Sequence, residues 1–436
     1  MSTISITDVD FNKDNLSFSI SGDNDYGLDK SFVNAIRRTL LNDIPTVAFE
    51  TDENKKNDLI MESNHTSLHN EMLLHRISLI PLYINPDKFL KSYLFDCNVK
   101  FSSDNPFQFV TTNDIQIYPL KEHIQERINN VYDESINDDK EKEFNLINDL
   151  LKNNNPENYE LDNPLSQKDK DKILRPYEFR GKKNHSLIIE LKNTNSDSQE
   201  QEIHFYGSPS VKTSQDHSRY QAVSCATYSF TKNDKLIKDV LSEKLKLDDI
   251  NQSDAGELES YTTKFMLSES ERYFLRDNFN EPNSYDFKIK SCHYFNSVEL
   301  FKKSLQILIE KCDLLKLSFL HMLQDKESLI SSEQTDEFTF HFLINNYCHT
   351  IGNVIQSYIV RRTLNEKSIL KLFAYKKPHP LEDSIKFYCT LNPKHKVSKM
   401  NETQKFQQIS SFIMEQIDEV MNEFKIILKE ADKSLK

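Results

Sequence analysis

The chain has 436 residues, long enough for two or three domains, and 37% hydrophobic content with 11% aromatics excludes wholesale disorder. With 28% charged residues and a mean hydropathy of −0.64, there is room for solvated insertions. A net charge of −13 disfavours a free-standing duplex-binding protein, whose affinity would come from basic side chains neutralising phosphates.

In chain order, strands are expected over 4–10 and 15–21, followed by a helix over 32–40. Phe32, Val33, Ile36 and Leu40 share one face of that helix, with Arg37 and Arg38 off it. Pro45 ends the helix and opens an extended segment, and a second helix is expected over 66–79, stopping before Pro81. From 83 to 235 short alternating segments suit a β-rich domain, with strands over 94–101, 115–118, 186–192, 203–206 and 223–230. An Asn-, Asp- and Lys-rich stretch at about 122–172 has few aliphatics. It reads as a mobile or peripheral elaboration rather than core, with a short helix around 144–151. An acidic, linker-like region follows at 244–259. Strand 286–290 and a helix carrying Val298, Phe301, Leu305 and Leu308 precede a polar junction at 327–337.

The last hundred residues repeat the first design. Strand 338–344 leads into a helix over 351–359, and Asn353-Val354-Ile355 parallels Asn34-Ala35-Ile36, each with an aliphatic residue four positions after the isoleucine. Strand 385–391 and an amphipathic helix over 406–428 then echo strand 287–290 and helix 298–312. A half with one open apolar helix face cannot bury it alone, so duplication implies that the halves pack together. Phe301 and Leu305 on one long helix, and Ile413, Ile417, Val420 and Phe424 on the other, are the expected packing residues.

No catalytic constellation survives inspection. His69, Glu71 and His75 lack the i, i+4 histidine spacing of a zinc metalloprotease helix. Cys292-His293 and Cys348-His349 are adjacent in sequence, a poor geometry for a nucleophile and its base. The six cysteines (97, 225, 292, 312, 348 and 389) are scattered, so they read as buried thiols of a reducing compartment. No metal and no cofactor are expected. No apolar run approaches the roughly 20 residues of a membrane span, and residues 1–10 lack a signal-peptide core, so an intracellular, soluble chain is expected.

Three ordered motifs resemble one family. Leu68-His69-Asn70-Glu71-Met72-Leu73-Leu74-His75-Arg76-Ile77-Ser78-Leu79-Ile80-Pro81-Leu82, with Asn34-Ala35-Ile36-Arg37-Arg38 and Ile44-Pro45-Thr46 upstream, is similar to the third-largest subunit of eukaryotic RNA polymerase II, the archaeal D subunit and bacterial alpha subunits. His217-Ser218-Arg219-Tyr220-Gln221-Ala222-Val223 resembles the insert-domain motif of that family, with Tyr220 where Trp is usual and Ala222 where Pro is usual. His349-Thr350-Ile351-Gly352-Asn353 and Phe373-Ala374-Tyr375-Lys376-Lys377-Pro378-His379-Pro380-Leu381 resemble the eleventh subunit and the archaeal L subunit. Members of those two families pair as a heterodimer. Here both patterns lie in one chain, as in the fused assembly subunit of large cytoplasmic DNA viruses.

The resemblance implies an α+β fold of two alpha-subunit-like dimerisation modules forming a pseudo-dimer in one chain. The first module covers 1–82 and 236–330 and is interrupted by a β-rich insert domain at 83–235; the second covers 331–436. It implies a non-catalytic assembly platform for a multisubunit DNA-directed RNA polymerase. The alternative is a DNA-associated transcription factor outside the polymerase core. By the family's pattern, Asn34, Arg37 and Arg38 meet the second-largest subunit, and Gly352, Asn353 and Arg361 the largest. Small subunits resembling the tenth and twelfth are further implied partners, with DNA met only indirectly, no membrane and no homodimer. The place of action would be the cytoplasm (viral factory or virion) for a viral chain, otherwise the nucleus.

Overall fold

A computed structural model describes residues 4–12, 14–25, 27–51, 57–89, 91–102, 106–124, 126, 155–192, 200–248, 250, 254–324, 326 and 328–435. The fold is α+β and divides into two compact units. The first holds Met1–Asp43, Val223–Ser291 and Asn296–Lys436, and the second holds Ile44–Ala222 with Cys292–Phe295. The expected helix at 144–151 lies outside the described residues.

The first unit opens with β1 (Ser5–Phe11) and β2 (Asn15–Ser21), an antiparallel pair. Alternation along β2 turns Leu16, Phe18 and Ile20 into the core and the serines outward. Helix α1 (Lys30–Asn42) starts at Asp29, whose carboxylate accepts from the Ser31 amide at 2.9 Å. Its buried face is Phe32, Val33, Ile36 and Leu40, the stripe expected from their spacing.

The chain then builds the second unit. Strands β3 (Thr46–Ala48) and β4 (Leu59–Asn64), helix α2 (Asn70–Ser78), β5 (Tyr93–Lys100), β6 (Phe107–Thr111) and β7 (Gln116–Pro119) come first. Helix α3 (Gln167–Ile173) and strands β8 (Tyr177–Phe179), β9 (Lys182–Asn184), β10 (Leu187–Lys192), β11 (Glu202–Gly207) and β12 (Ser210–Lys212) follow. The main sheet runs β4-β11-β5-β7, accompanied by the ribbons β10–β6, β12–β3 and β8–β9. Phe49, Leu73, Ile77, Phe95 and Phe205 form the heart of its core.

Three sequence expectations change here. The second helix begins at Asn70 rather than 66, because Asn64 accepts from the Thr66 amide and donates to the Leu68 carbonyl, holding 64–68 in a turn. The part of the 122–172 stretch from 155 onward is not peripheral. Tyr159 is buried against Leu94 and Leu120, Lys170 Nζ donates to the Asn113 carbonyl at 2.7 Å, and Leu165 packs on the main core. The boundaries at 82/83 and 235/236 do not coincide with those of the units, because pairing partners decide membership. β3 and β4 pair with β12 and β11, whereas β13 (Val223–Phe230) joins the first unit's sheet.

After β13 the first unit continues through α4 (Asp234–Leu247), α5 (Ala255–Ser268), β14 (Ser284–Ser291) and α6 (Ser297–Leu323). The linker-like stretch thus contains helices, capped by Asn233 and Asp254, with few buried residues between them. The remainder is β15 (Ile330–Gln334), β16 (Thr339–Asn345), α7 (His349–Arg362), β17 (Leu370–Lys376), β18 (Ser384–Leu391) and α8 (Glu402–Ser434).

Two sheets of the first unit have the same plan. One runs β1-β2-β14-β13 and the other β15-β16-β18-β17, all antiparallel. In each, the helix follows the second strand, and the long helix follows the third strand of the sheet order. The last strand in each order also slips register at its first residues, between Val223 and Cys225 in β13 and between Leu370 and Leu372 in β17, whereas at the opposite edge β1 slips between Thr7 and Asp10 and β15 pairs without a slip. The copies differ in their connections. Residues 43–222 separate α1 from β13, where 363–369 suffice between α7 and β17.

Candidate assembly interface

The two copies meet through their first helices. Arg38 Nε donates to Thr350 Oγ1 at 2.9 Å, and Ser357 Oγ donates to the Asp29 carboxylate. With Asn34 aligned to Asn353, Arg38 and Ser357 are the same repeat position, and Thr350 matches Ser31, two residues from Asp29. A late residue of each helix therefore bonds the start of the other. That reciprocity fixes α1 and α7 antiparallel, as an isologous contact would. Phe32 packs 4.9 Å from Phe424 and 6.3 Å from Tyr358, so α8 closes the same seam.

A buried charge cluster marks one end of this seam. Arg361 Nη2 donates to Asp277 Oδ2 at 2.9 Å, and its Nη1 lies 3.6 Å from Asp29 Oδ2. The Asp277 side chain is 0% exposed and also accepts from the amides of Phe279 and Glu281 at 2.9 Å. One guanidinium thus ties α7 to the α1 cap and to the turn before β14, and it compensates the fully buried Asp277 and the nearly buried Asp29. Tyr285, beside it, donates to the carbonyls of Leu28 and Pro282 at 2.9 Å; burial pushes its phenol above the ordinary value and keeps it a donor.

The long helices α6 and α8 also run antiparallel. Lys302–Asp432 at 2.8 Å and Lys316–Asp418 at 2.7 Å are ion pairs that advance along one helix as they retreat along the other. Phe301, Leu305, Ile413, Ile417, Val420 and Phe424 are all fully buried. Phe301 spends its ring on the first sheet, 4.8 Å from Phe18 and 6.1 Å from Phe287, whereas Phe424 reaches across to α1. Tyr347, ahead of α7, donates to the Lys311 carbonyl of α6 at 3.1 Å. At the ends of the first helices the repeat carries mirrored charges. Asp43 pairs with Lys311 at 2.9 Å, and Arg362, at the matching position, pairs with Glu423 at 2.7 Å.

The structure sorts the expected docking residues. Asn34 Oδ1 accepts from Arg37 Nε and Nη2 at 3.0 and 2.9 Å, so these two form one half-exposed group one turn apart. Arg38 is half-buried and engaged with Thr350. Gly352 is interior: a Cβ there would stand 2.7 Å from Tyr375 Cδ2. Arg361 is held by the buried cluster, leaving Asn353, half-buried on α7, as the member of its trio open to a partner. Sequence reasoning missed Asp29 and Asp277, and the N-cap position of Asp29 was the available signal for the first.

Within the second unit the His217-Ser218-Arg219-Tyr220 motif is a fastening. Arg219 Nη1 donates to the Phe49 carbonyl at 2.8 Å and to Thr51 Oγ1 at 2.6 Å, and Thr46 Oγ1 donates to the Tyr220 carbonyl at 2.7 Å. The 68–82 motif supplies Leu73, Ile77 and Leu82 to the core. Arg76 donates to the Leu187 carbonyl at 3.3 Å. Among the described residues no group of His, Cys, Asp and Glu could hold a metal ion. Cys292 Sγ donates to the Gln221 carbonyl and Cys348 Sγ to Thr350 Oγ1, so neither faces its neighbouring histidine. No described helix is long and apolar enough to cross a membrane.

The model of the RNA polymerase Rpb3/Rpb11 dimerisation domain matches residues 26–312. The chain belongs to this family. The match takes in the first sheet from α1 onward, the second unit and part of α6, and stops before the second sheet. Among curated proteins, the DNA-directed RNA polymerase subunit Rpo3 of Methanosphaera stadtmanae is 37% identical over 71 residues, 16% of this chain and 24% of that protein. Rpo3 of Methanopyrus kandleri is 40% identical over 70 residues, 16% of this chain and 23% of its own length. A subunit of DNA-directed RNA polymerases I and III from Dictyostelium discoideum, rpac1, is 35% identical over 63 residues, 14% of this chain and 16% of that protein. The matched segments thus span a quarter or less of these three relatives.

Proposed function

We propose that this chain is a non-catalytic assembly platform of a multisubunit DNA-directed RNA polymerase, made of two dimerisation modules fused in one chain. The observation that carries this reading is the repeated sheet plan, with equal strand order and a matching register slip at the β13 and β17 edge, in a member of the Rpb3/Rpb11 family. The first module comprises 1–43 and 223–330, the insert 44–222, and the second module 331–436. Each module leaves a helix face that needs a partner, and the fusion supplies that partner at an effective concentration of about millimolar.

On this reading the paired helices form a pseudo-dimer with unlike docking faces. The second-largest polymerase subunit docks by Asn34 and Arg37, with the remaining donors of Arg38, and the largest docks around Asn353. Small subunits resembling the tenth and twelfth complete the subassembly, DNA is reached through the large subunits, and the chain does not self-associate. It acts inside the cell, in the cytoplasm (viral factory or virion) for a viral chain and otherwise in the nucleus. The test is native mass spectrometry of the tagged full chain purified from its own source. One copy bound to one of each large polymerase subunit is the expected composition. A chain that purifies free of them, or as a homodimer stable to dilution, refutes the assignment.

A further inference from the structure

The β8–β9 hairpin of the second unit is built from residues that the fold itself does not use. Its strands pair Tyr177 with Asn184, Glu178 with Lys183 and Phe179 with Lys182. Arg180 and Gly181 form the two-residue loop, both with positive φ (52° and 72°), the geometry of a tight hairpin turn that glycine accepts without strain. Nothing lies within 4 Å of a Cβ built on Gly181. Tyr177 and Phe179 are 55% and 60% exposed, and Arg180, Lys182 and Lys183 are exposed too. A two-stranded ribbon gains little stability in water by itself, so solvent-facing rings here do not serve packing.

Strand alternation separates the two faces. Glu178 and Lys183 oppose each other on one face and cancel in charge. Tyr177, Phe179 and Lys182 share the other, and the Arg180 guanidinium lies 5.2 Å from the centre of the Phe179 ring. The aromatic face is therefore the cationic face, on a chain of net charge −13.

We propose that this hairpin face binds single-stranded nucleic acid, the rings stacking on bases and Arg180 and Lys182 meeting phosphates. Paired rings flanked by cations are a sequence-tolerant stacking platform. A protein partner would need a pocket for each protruding ring, whereas each base brings its own flat face. The choice of nucleic acid among polyanions rests on the polymerase reading, and the contact goes beyond the assembly role, in which DNA is reached only through other subunits.

The test uses the full chain and fluorescence anisotropy of labelled 20-nucleotide oligo(dT) and oligo(U) between about 50 and 200 mM salt. Wild-type chain should bind both, more weakly as salt rises. Tyr177→Ala with Phe179→Ala should weaken binding at least about tenfold, since each stacked base is worth about 1–3 kcal/mol. Arg180→Glu with Lys182→Glu should also weaken it and lower the salt slope by about 1.4, two phosphate contacts at roughly 0.7 each. Glu178→Gln, on the opposite face, should bind at least as tightly as wild type. Unchanged melting midpoints are expected for all variants, because every altered side chain is exposed. No binding by wild type, or binding by both double variants as tight as that of wild type, overturns the proposal. So does stronger retention on phosphatidylserine vesicles or poly-glutamate than on the oligonucleotides. The assembly reading is judged separately by the native mass: loss of the large subunits with oligonucleotide binding intact removes that reading and leaves the hairpin contact standing.

Discussion

Replacing Gly352 with alanine sets two opposed effects against each other at one atom. The new Cβ would stand 2.7, 3.1 and 3.2 Å from Cδ2, Cε2 and Cγ of Tyr375. Contact with Cγ means that the ring cannot clear the methyl group by turning about its own axis. The strand bearing it is held too: the Tyr375 amide donates to Gln356 Oε1 at 2.9 Å. Overpacking of this kind costs about 1–3 kcal/mol, while alanine in a helix gains up to about 1 kcal/mol over glycine. Net destabilisation of about 1 kcal/mol is expected for Gly352→Ala. In a Tyr375→Ala background the obstruction is gone, so Gly352→Ala should stabilise by up to about 1 kcal/mol. The sign of one substitution reverses with the other residue. Urea unfolding of the four proteins in this cycle measures the coupling, expected to be at least about 1 kcal/mol. Additivity within about 0.5 kcal/mol would show that Gly352 is not there for the Tyr375 ring.

Other outcomes follow from the same geometry. Arg361→Ala strands the carboxylates of Asp277 and Asp29 and should cost about 3–5 kcal/mol in urea unfolding; a loss below about 1 kcal/mol would mean that solvent reaches them. Maleimide at neutral pH should label Cys225 and Cys348 in the native chain. Cys97, Cys292 and Cys312, whose thiols burial pushes up to about 12, 11 and 12, should resist together with the buried Cys389 until denaturation. Burial lowers the pKa of His293 in the folded chain, so below about 6.5 the unfolded chain takes up the proton first. This contribution to stability is intact above that pH and is lost as pH falls toward the folded-state value, and His293→Phe should flatten that part of the stability–pH profile. Replacing 44–222 by the 363–369 link of the second copy should leave the paired sheets folded, with near-ultraviolet circular dichroism retained; a molten product would show that the first sheet needs the insertion.

Much of the fold was legible because its signals are local. Leu16, Phe18 and Ile20 announce β2 by alternation, and the Phe424 stripe announces α8 by helical spacing. Asn34 and Asn353, each followed two positions on by isoleucine, align the repeat in the sequence itself. What escaped was decided at long range. Thr46 pairs with Lys212, and Leu59 with Gly207, so 44–82 belongs with strands that come more than a hundred residues later, and no local pattern encodes that choice. The helices α4 and α5 hid in an acidic stretch because each buries little, although their Asx caps were in plain sight. The docking residues were only half legible. Position on a helix face says that Arg361 leaves the apolar stripe; it does not say that Asp277 waits there, on a turn brought alongside by a different strand.

The long connection from α1 to β13 sits where the sheet plan can accommodate it. A loop is tolerated where its ends already lie together, since closing a longer chain costs only about 0.6 kcal/mol per doubling. The insert's ends meet that condition within their own unit: Thr46 Oγ1 donates to the Tyr220 carbonyl at 2.7 Å, and β3 pairs with β12 close before the return. The chain that leaves α1 therefore comes back to start β13 at the same edge-strand position, with the same register slip, that β17 reaches through seven residues. Had the extra residues entered within β2 or β14, they would have broken ladders that hold the sheet's inner strands. At the edge they leave both sheets with one plan. The reciprocal bonds of α1 and α7, and the opposed ion pairs of α6 and α8, can then form whatever the length of that connection.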